Sequence, residues 1–184
     1  MPPRQKPWPT QWLITDERMG EQLCDAIGRL DAGDGIVLRH YRLDGAARRE
    51  LADALAKVCR QRGIMLAVAG DSSLATDVRA DLVHNPSAPT GTPFSRSVHS
   101  IEQAEAARRA GAALVFVSPV NSTRSHPGQE PLSRAQAIRI ARVAQVPAIA
   151  LGGMDPRKFK LRFADDFYGW AGIDAWLTVT KVTR

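Results

Sequence analysis

The stretch FVSPVNSTRSHPG, residues 116–128, begins as an apolar run and ends in hydroxyls, a guanidinium and an imidazole. Six of its residues are Ser, Thr, Arg or His. Such side chains donate hydrogen bonds to an anion, and His also carries protons near neutrality. Thr123, Ser125 and His126 are therefore candidate ligand contacts, with a plain surface loop as the alternative. Gly152 and Gly153 follow the apolar run PAIAL and precede Asp155 and Pro156. Glycines there let backbone N–H groups approach a ligand, and a helix opening after them adds its positive end, which suits a phosphate. A glycine pair also makes ordinary turns, so that alternative stays open. In RSVHS, residues 96–100, Ser97 and His99 stand two positions apart. In a strand both side chains share one face, and His99 or His126 can serve as a proton shuttle. Arg39 and Asp71 add a cation and a carboxylate at the ends of two further apolar runs.

All these residues stand at the ends of short apolar runs that alternate with stretches of helical spacing. The runs are 12–15, 35–41, 64–71, 81–85, 94–99, 113–120, 147–153 and 167–173. Helices are predicted near 18–32, over 44–62, over 72–79, after Ser100, after Ser133 and over 155–163. In the second, Leu51, Leu55 and Val58 recur at helical spacing, Asp44 caps the start and Gly63 the end. Ser100 and Gln103 have the spacing of a capping box. Continuous apolar runs mark parallel strands buried on both faces. Eight such units predict an α/β fold, a (β/α)8 TIM barrel over 11–184 behind a basic, Pro-rich tail at 1–10. A doubly wound sheet is the alternative. Such barrels usually need about 200 residues or more. The fourth helix is therefore expected to be replaced by the PSAPTGTP loop and the eighth reduced to AWLTVTKVTR. Ligands of a TIM barrel bind at the C-terminal strand ends, where every residue named above stands.

The net charge of +6 favours an anionic partner, such as a phosphorylated small molecule. The basic residues are scattered, with Arg48, Arg49, Lys57, Arg60 and Arg62 along one helix and Arg139 and Arg142 on another. No basic block alternates with aromatics, so they read as a solvated surface and no nucleic-acid partner is expected. No apolar run reaches bilayer-spanning length, and the start MPPRQKPWPTQ lacks the apolar segment of a secretory signal. Cys24 and Cys59 lack metal spacing and read as reduced core thiols. A cytoplasmic protein without a membrane partner is expected. The shortened last unit leaves Trp170, Trp176 and Leu177 to cover a homodimer interface.

LITD, VLR, SVHS, SPVNSTRSHPG and PAIALGGMDP, in that order at the strand ends, resemble the thiamine phosphate synthase and thiazole tautomerase family. The resemblance spans roughly residues 12–174. In the synthase branch it implies a transferase of thiamine biosynthesis. That enzyme couples a hydroxymethylpyrimidine pyrophosphate to a thiazole phosphate, with Mg²⁺ and release of pyrophosphate. By position, Arg39 then contacts pyrophosphate, Asp71 holds Mg²⁺ and Ser97 matches the fifth-strand hydroxyl. Thr123 and Ser125 hold the thiazole, and Gly152 and Gly153 its phosphate. The chain departs from that pattern where Val37, Tyr41 and Gly70 replace Gln, Lys and Asn. NPSAPTG lacks the second metal carboxylate, His126 replaces a Lys, and Ile173–Asp174 replaces a Val-Ser turn that contacts phosphate. The tautomerase branch moves a proton on the thiazole precursor without a metal. RSVHS resembles that branch, although Pro119 stands where its catalytic His belongs. Three expectations follow: a synthase, a tautomerase-like isomerase with a relocated His, or a family member that binds a thiazole- or phosphate-type ligand without turnover.

Overall fold

Eight parallel strands close on themselves in chain order in the computed structural model, which describes residues 7–123, 128 and 130–177. They are β1 (Gln11–Ile14), β2 (Gly35–Leu38), β3 (Met65–Ala69), β4 (Leu82–His84), β5 (Phe94–Val98), β6 (Leu114–Val117), β7 (Ala148–Leu151) and β8 (Gly169–Gly172). The last strand pairs with β7 on one side and β1 on the other, so the expected barrel is present. The doubly wound alternative is overturned, because an open sheet has edges and this one has none.

Around the barrel lie α1 (Gln22–Gly28), α2 (Gly45–Arg62), α3 (Ser72–Asp77), α4 (Ile101–Arg109), α5 (Arg134–Ala144) and α6 (Pro156–Arg162). Their starts follow local chemistry. Asp44, Asp71, Ser100, Ser133 and Asp155 each accept a backbone N–H three residues onward. The complete capping box is at Ser133 and Gln136 rather than at Ser100 and Gln103. Gln103 instead accepts the backbone N–H of His99 at 2.7 Å. The long helix expected near 18–32 is split into a 3-10 turn at Glu17–Met19 and α1, because Gly20 has φ of 49° and ends the turn. No helix separates β4 from β5, and β8 leads into a 3-10 turn, Asp174–Trp176. Most of the expected eighth-helix remnant lies outside the described residues.

The strands bury both faces, which explains their unbroken apolar runs. Inside the barrel Trp12, Val37, Ala67, Leu82, Leu114, Phe116, Ile149 and Ala171 pack together. The Trp12 indole fills the space a side chain at position 35 would need, so Gly35 is required there. Outside, Leu13, Leu38, Leu66, Val68 and Val115 meet Leu55, Cys59, Ala104, Ala137 and Ile140 of the helices. Trp170 and Trp176 stack with ring centroids 5.3 Å apart and are buried within the chain. These two rings cover the chain's own core, and Leu177 is partly buried. Cys59 is a core thiol, its pKa pushed up to about 12 by burial, whereas Cys24 is exposed, correcting that part of the sequence reading.

Several arginines bind backbone carbonyls rather than face solvent. Arg62 donates to the carbonyls of Ile27 at 2.7 Å, Gly28 and Leu30. Arg48 donates to His40 O at 2.9 Å and Ala69 O at 2.6 Å, tying α2 to the ends of β2 and β3. Among the described residues no helix is long and apolar enough to cross a membrane.

Candidate functional site

Val37, Leu82 and Ser95 face the barrel interior, so the two-residue period of a strand carries Arg39, His84, Ser97 and His99 up the same face. All four line a cavity of about 730 Å³ at the C-terminal end, together with Tyr41, Asn85, Ser118, Ser122, Thr123, Gly152, Gly153, Lys158 and Asp174. A second cavity, of about 550 Å³, lies at the opposite end beside Trp8, Ile64 and Tyr168 and holds none of the predicted site residues.

The cavity floor is a neutral polar network. His84, 4% exposed, has Nδ1 2.9 Å from Ser95 Oγ and Nε2 3.1 Å from Asn85 Nδ2. An amide nitrogen can only donate, so Nε2 accepts and the proton sits on Nδ1. Asn85 Nδ2 also donates to Ser97 Oγ at 3.1 Å, while Asn85 Oδ1 accepts the Ser97 backbone N–H at 2.7 Å. Ser97 Oγ lies 3.2 Å from His84 Nε2. Burial above all, then Arg39 and Arg96, lower the His84 pKa to about 3, which keeps this imidazole neutral. The network leaves the Ser97 hydroxyl proton to choose between His84 and a ligand.

On the wall between β5 and β6, His99 Nδ1 is 2.6 Å from the carbonyl oxygen of Ser118. A carbonyl only accepts, so Nδ1 carries hydrogen, and in the neutral ring Nε2 holds an unshared pair. Gln103 holds the His99 backbone, which is why the capping box at α4 is incomplete. The imidazole is thus anchored beside Ser118–Pro119. Sequence resemblance places Pro119 where the tautomerase branch has its His, and His99 of the neighbouring strand contacts the residue before that Pro.

Opposite lies Arg39. Its backbone N–H donates to Thr15 Oγ1 at 2.9 Å and its guanidinium is 3.5 Å from Asp16 Oδ2. Burial alone would raise the Asp16 carboxyl, but hydrogen bonds from Arg18 and the charges of Arg18 and Arg39 outweigh it and hold the pKa below the usual value. Tyr41, 53% exposed, stands with the Arg39 and Arg48 guanidiniums 5.9 and 5.7 Å from its ring centroid. Asp71, expected to hold Mg²⁺, has other partners. Its Oδ1 caps α3 through Leu74 N at 2.9 Å and its Oδ2 is 3.7 Å from Arg48. It does not line the cavity, and the 85–93 loop supplies no acid. Among the described residues no group of three or more His, Cys, Asp or Glu could hold a metal ion. Asp71 thus offers one carboxylate, already in contact with Leu74 N and near Arg48, where a Mg²⁺ held with substrate phosphates usually takes one or two from its protein.

At the far end, Gly152 and Gly153 have φ of 112° and 52°. A Cβ on Gly152 would sit 3.0 Å from Pro119 Cα, and one on Gly153 would overlap Ser122 O. The pair is thus needed to seat the loop after β7 against the loop after β6. Asn121 secures the contact, donating to Gly152 O at 3.1 Å and accepting from Arg162 at 2.9 Å. Lys158 Nζ donates to Gly153 O at 2.8 Å and lies 3.3 Å from Asp155.

Of the residues singled out from sequence, Arg39, Ser97, His99, Thr123, Gly152 and Gly153 converge on one cavity. Asp71 lies beside it, and Ser125 and His126 lie outside the described residues. His84, Asn85, Ser118 and Lys158 were not among the predicted site residues. The even spacing of His84 from interior Leu82 was the signal available for the first.

A closed (β/α)8 barrel with a polar cavity at its C-terminal mouth is a TIM barrel with its βα-loops lining a candidate ligand site. The model of the family described as thiamine monophosphate synthase matches residues 12–175, and the chain belongs to that family, which places it in thiamine biosynthesis. It is 28% identical to a putative thiamine-phosphate synthase 2 of Aquifex aeolicus over 92% of this chain and 98% of that one. It is 30% identical to the thiamine-phosphate synthase of Geobacillus thermodenitrificans, over 78% and 73% of the two chains. Against the thiamine-phosphate synthase of Prochlorococcus marinus strain MIT 9313, also 30% identical, it spans 45% of that longer protein. The solved thiamine phosphate pyrophosphorylase from Pyrococcus furiosus superposes with a TM-score of 0.78 at 20% identity, covering 90% of this chain and 86% of that one.

Proposed function

We infer that this chain binds a thiazole-type heterocycle at the barrel mouth and moves a proton on it, as a metal-independent isomerase. The observation that carries this reading is the 2.6 Å contact from His99 Nδ1 to a backbone carbonyl, which leaves Nε2 to act as base. Nε2 removes a proton from one carbon of the heterocycle and the C–H electron pair passes into the ring. The new N–H then returns the proton at a second position, so nothing is gained or lost overall. Ser97 offers its hydroxyl proton to an acceptor on the ring instead of to His84 Nε2, with Asn85 Nδ2 donating to its oxygen. Thr123 and Ser122 close the other side of the cavity.

Coupling of a pyrimidine pyrophosphate to a thiazole is the second reading, favoured by the Arg39 guanidinium on the cavity wall and by the names of the relatives. In that reaction Arg39 would stabilise the departing pyrophosphate. Asp71 is the carboxylate of the expected pair that this chain retains, and Mg²⁺ held by it together with the substrate's own oxygens would add to that stabilisation.

Chelation separates the two. With EDTA present, interconversion of thiazole tautomers by the purified protein, followed by NMR, is expected to continue at its full rate. Pyrophosphate release that requires Mg²⁺ and collapses in Arg39→Ala would replace this reading by the coupling reaction.

A further inference from the structure

Donors and acceptors on the cavity floor can be assigned one by one, and the assignment turns on Asn85. This residue follows β4 with φ of 48°, a left-handed backbone that Asn adopts more readily than most side chains. Its own N–H continues the pairing with β5, donating to Ser95 O at 2.8 Å. Its Oδ1 accepts the Ser97 backbone N–H at 2.7 Å. A backbone N–H can only donate, so the amide cannot be turned the other way, and Nδ2 is the atom that faces His84 and Ser97. One Nδ2 hydrogen meets His84 Nε2 at 3.1 Å and the other meets Ser97 Oγ at 3.1 Å. The other ring nitrogen of His84 gives its proton to Ser95 Oγ at 2.9 Å.

One donor of this network is left over. The Ser97 hydroxyl lies 3.2 Å from His84 Nε2, but the single lone pair there already accepts from Asn85. Two donors sharing one pair each bond weakly, so turning the Ser97 proton toward a ligand in the cavity gives up little. We propose that Asn85 is a specificity-determining residue of this cavity. By occupying His84 Nε2 and donating to Ser97 Oγ, it keeps the Ser97 proton for the ligand. The floor thereby selects a heterocycle that presents an unprotonated acceptor there, such as a bare ring nitrogen, over an isostere with C–H in its place. This rests on the thiazole reading above and specifies which edge of the ring the floor takes.

The test is calorimetric titration of the full chain with hydroxyethylthiazole and with the thiophene in which C–H replaces its ring nitrogen. The unmodified protein is expected to bind the thiazole about tenfold more tightly, the factor that 1.4 kcal/mol supplies. In Asn85→Asp the new carboxylate only accepts, so it takes the Ser97 proton and the preference is expected to vanish. Asn85→Gly keeps the left-handed backbone and leaves His84 Nε2 to the Ser97 hydroxyl alone, with the same expected loss. Circular dichroism checks that the variants fold; should Asn85→Asp fail to, Asn85→Gly decides. A purely structural role for Asn85 would weaken both compounds equally and leave their ratio unmoved, which overturns the proposal. Equal affinities in the unmodified protein also overturn it while leaving the thiazole reading intact. Binding of neither compound overturns the thiazole reading, and the proposal with it.

Discussion

Replacing His99 with asparagine lowers the rate of proton transfer about 10²- to 10⁴-fold, the range a positioned general base supplies. The asparagine amide can still donate to the Ser118 carbonyl, so the loop contact after β6 survives while the titrating nitrogen is lost. Affinity for the heterocycle should therefore change little. Single-turnover rates at saturating ligand, together with a binding isotherm, measure the two effects separately. Equal losses in rate and affinity would make His99 a binding residue. An unchanged rate would remove it from the chemistry.

The second large effect is on stability in acid. His84 is buried and stays neutral in the folded chain down to about pH 3, whereas an exposed His takes up a proton below about 6.5. Between those values the unfolded chain binds more protons than the folded one, so stability falls as pH falls. The limiting slope is about 1.4 kcal/mol per pH unit, and the loss over the window is on the order of 4 kcal/mol. His40, whose pKa is lowered by burial, acts in the same direction, and so does Asp16 near the bottom of the range. Asp34, whose pKa is raised by burial, partly offsets them. Denaturant unfolding from pH 7 to 3.5 should give a distinctly shallower pH slope for His84→Gln than for the unmodified protein, whatever that variant's stability at neutrality. Parallel slopes would mean that the burial of His84 is not what makes the chain acid-sensitive.

Much of this architecture is legible along the chain because it is written locally. Asp44 and Ser133 mark helix starts through bonds to their own backbone, and the unbroken apolar runs mark strands covered on both sides. The position of Ser97 and His99 on one face follows from strand period alone. What the chain conceals is the chemistry that forms between elements. The Asn85–His84–Ser97 network joins β5 to the end of β4. Arg48 comes from α2 to stand beside Asp71 after β3, so a carboxylate that reads as a metal ligand also caps a helix and has a cation next to it. Gly152 and Gly153 read as a phosphate cradle, and the chain does not show that Pro119 and the Ser122 carbonyl, which demand their small size, come from another loop. Gly20, which splits the first predicted helix, was visible in the sequence but needed its φ of 49° to be recognised as a break.

The most direct measurement of the central claim is proton exchange on the bound heterocycle, followed by NMR in heavy water with EDTA present. The account predicts that the unmodified protein incorporates deuterium into the thiazole precursor as it isomerises, and that His99→Asn does not. Isomerisation with deuterium incorporation that survives in His99→Asn, or a chain that incorporates none and instead releases pyrophosphate on adding Mg²⁺, would contradict it.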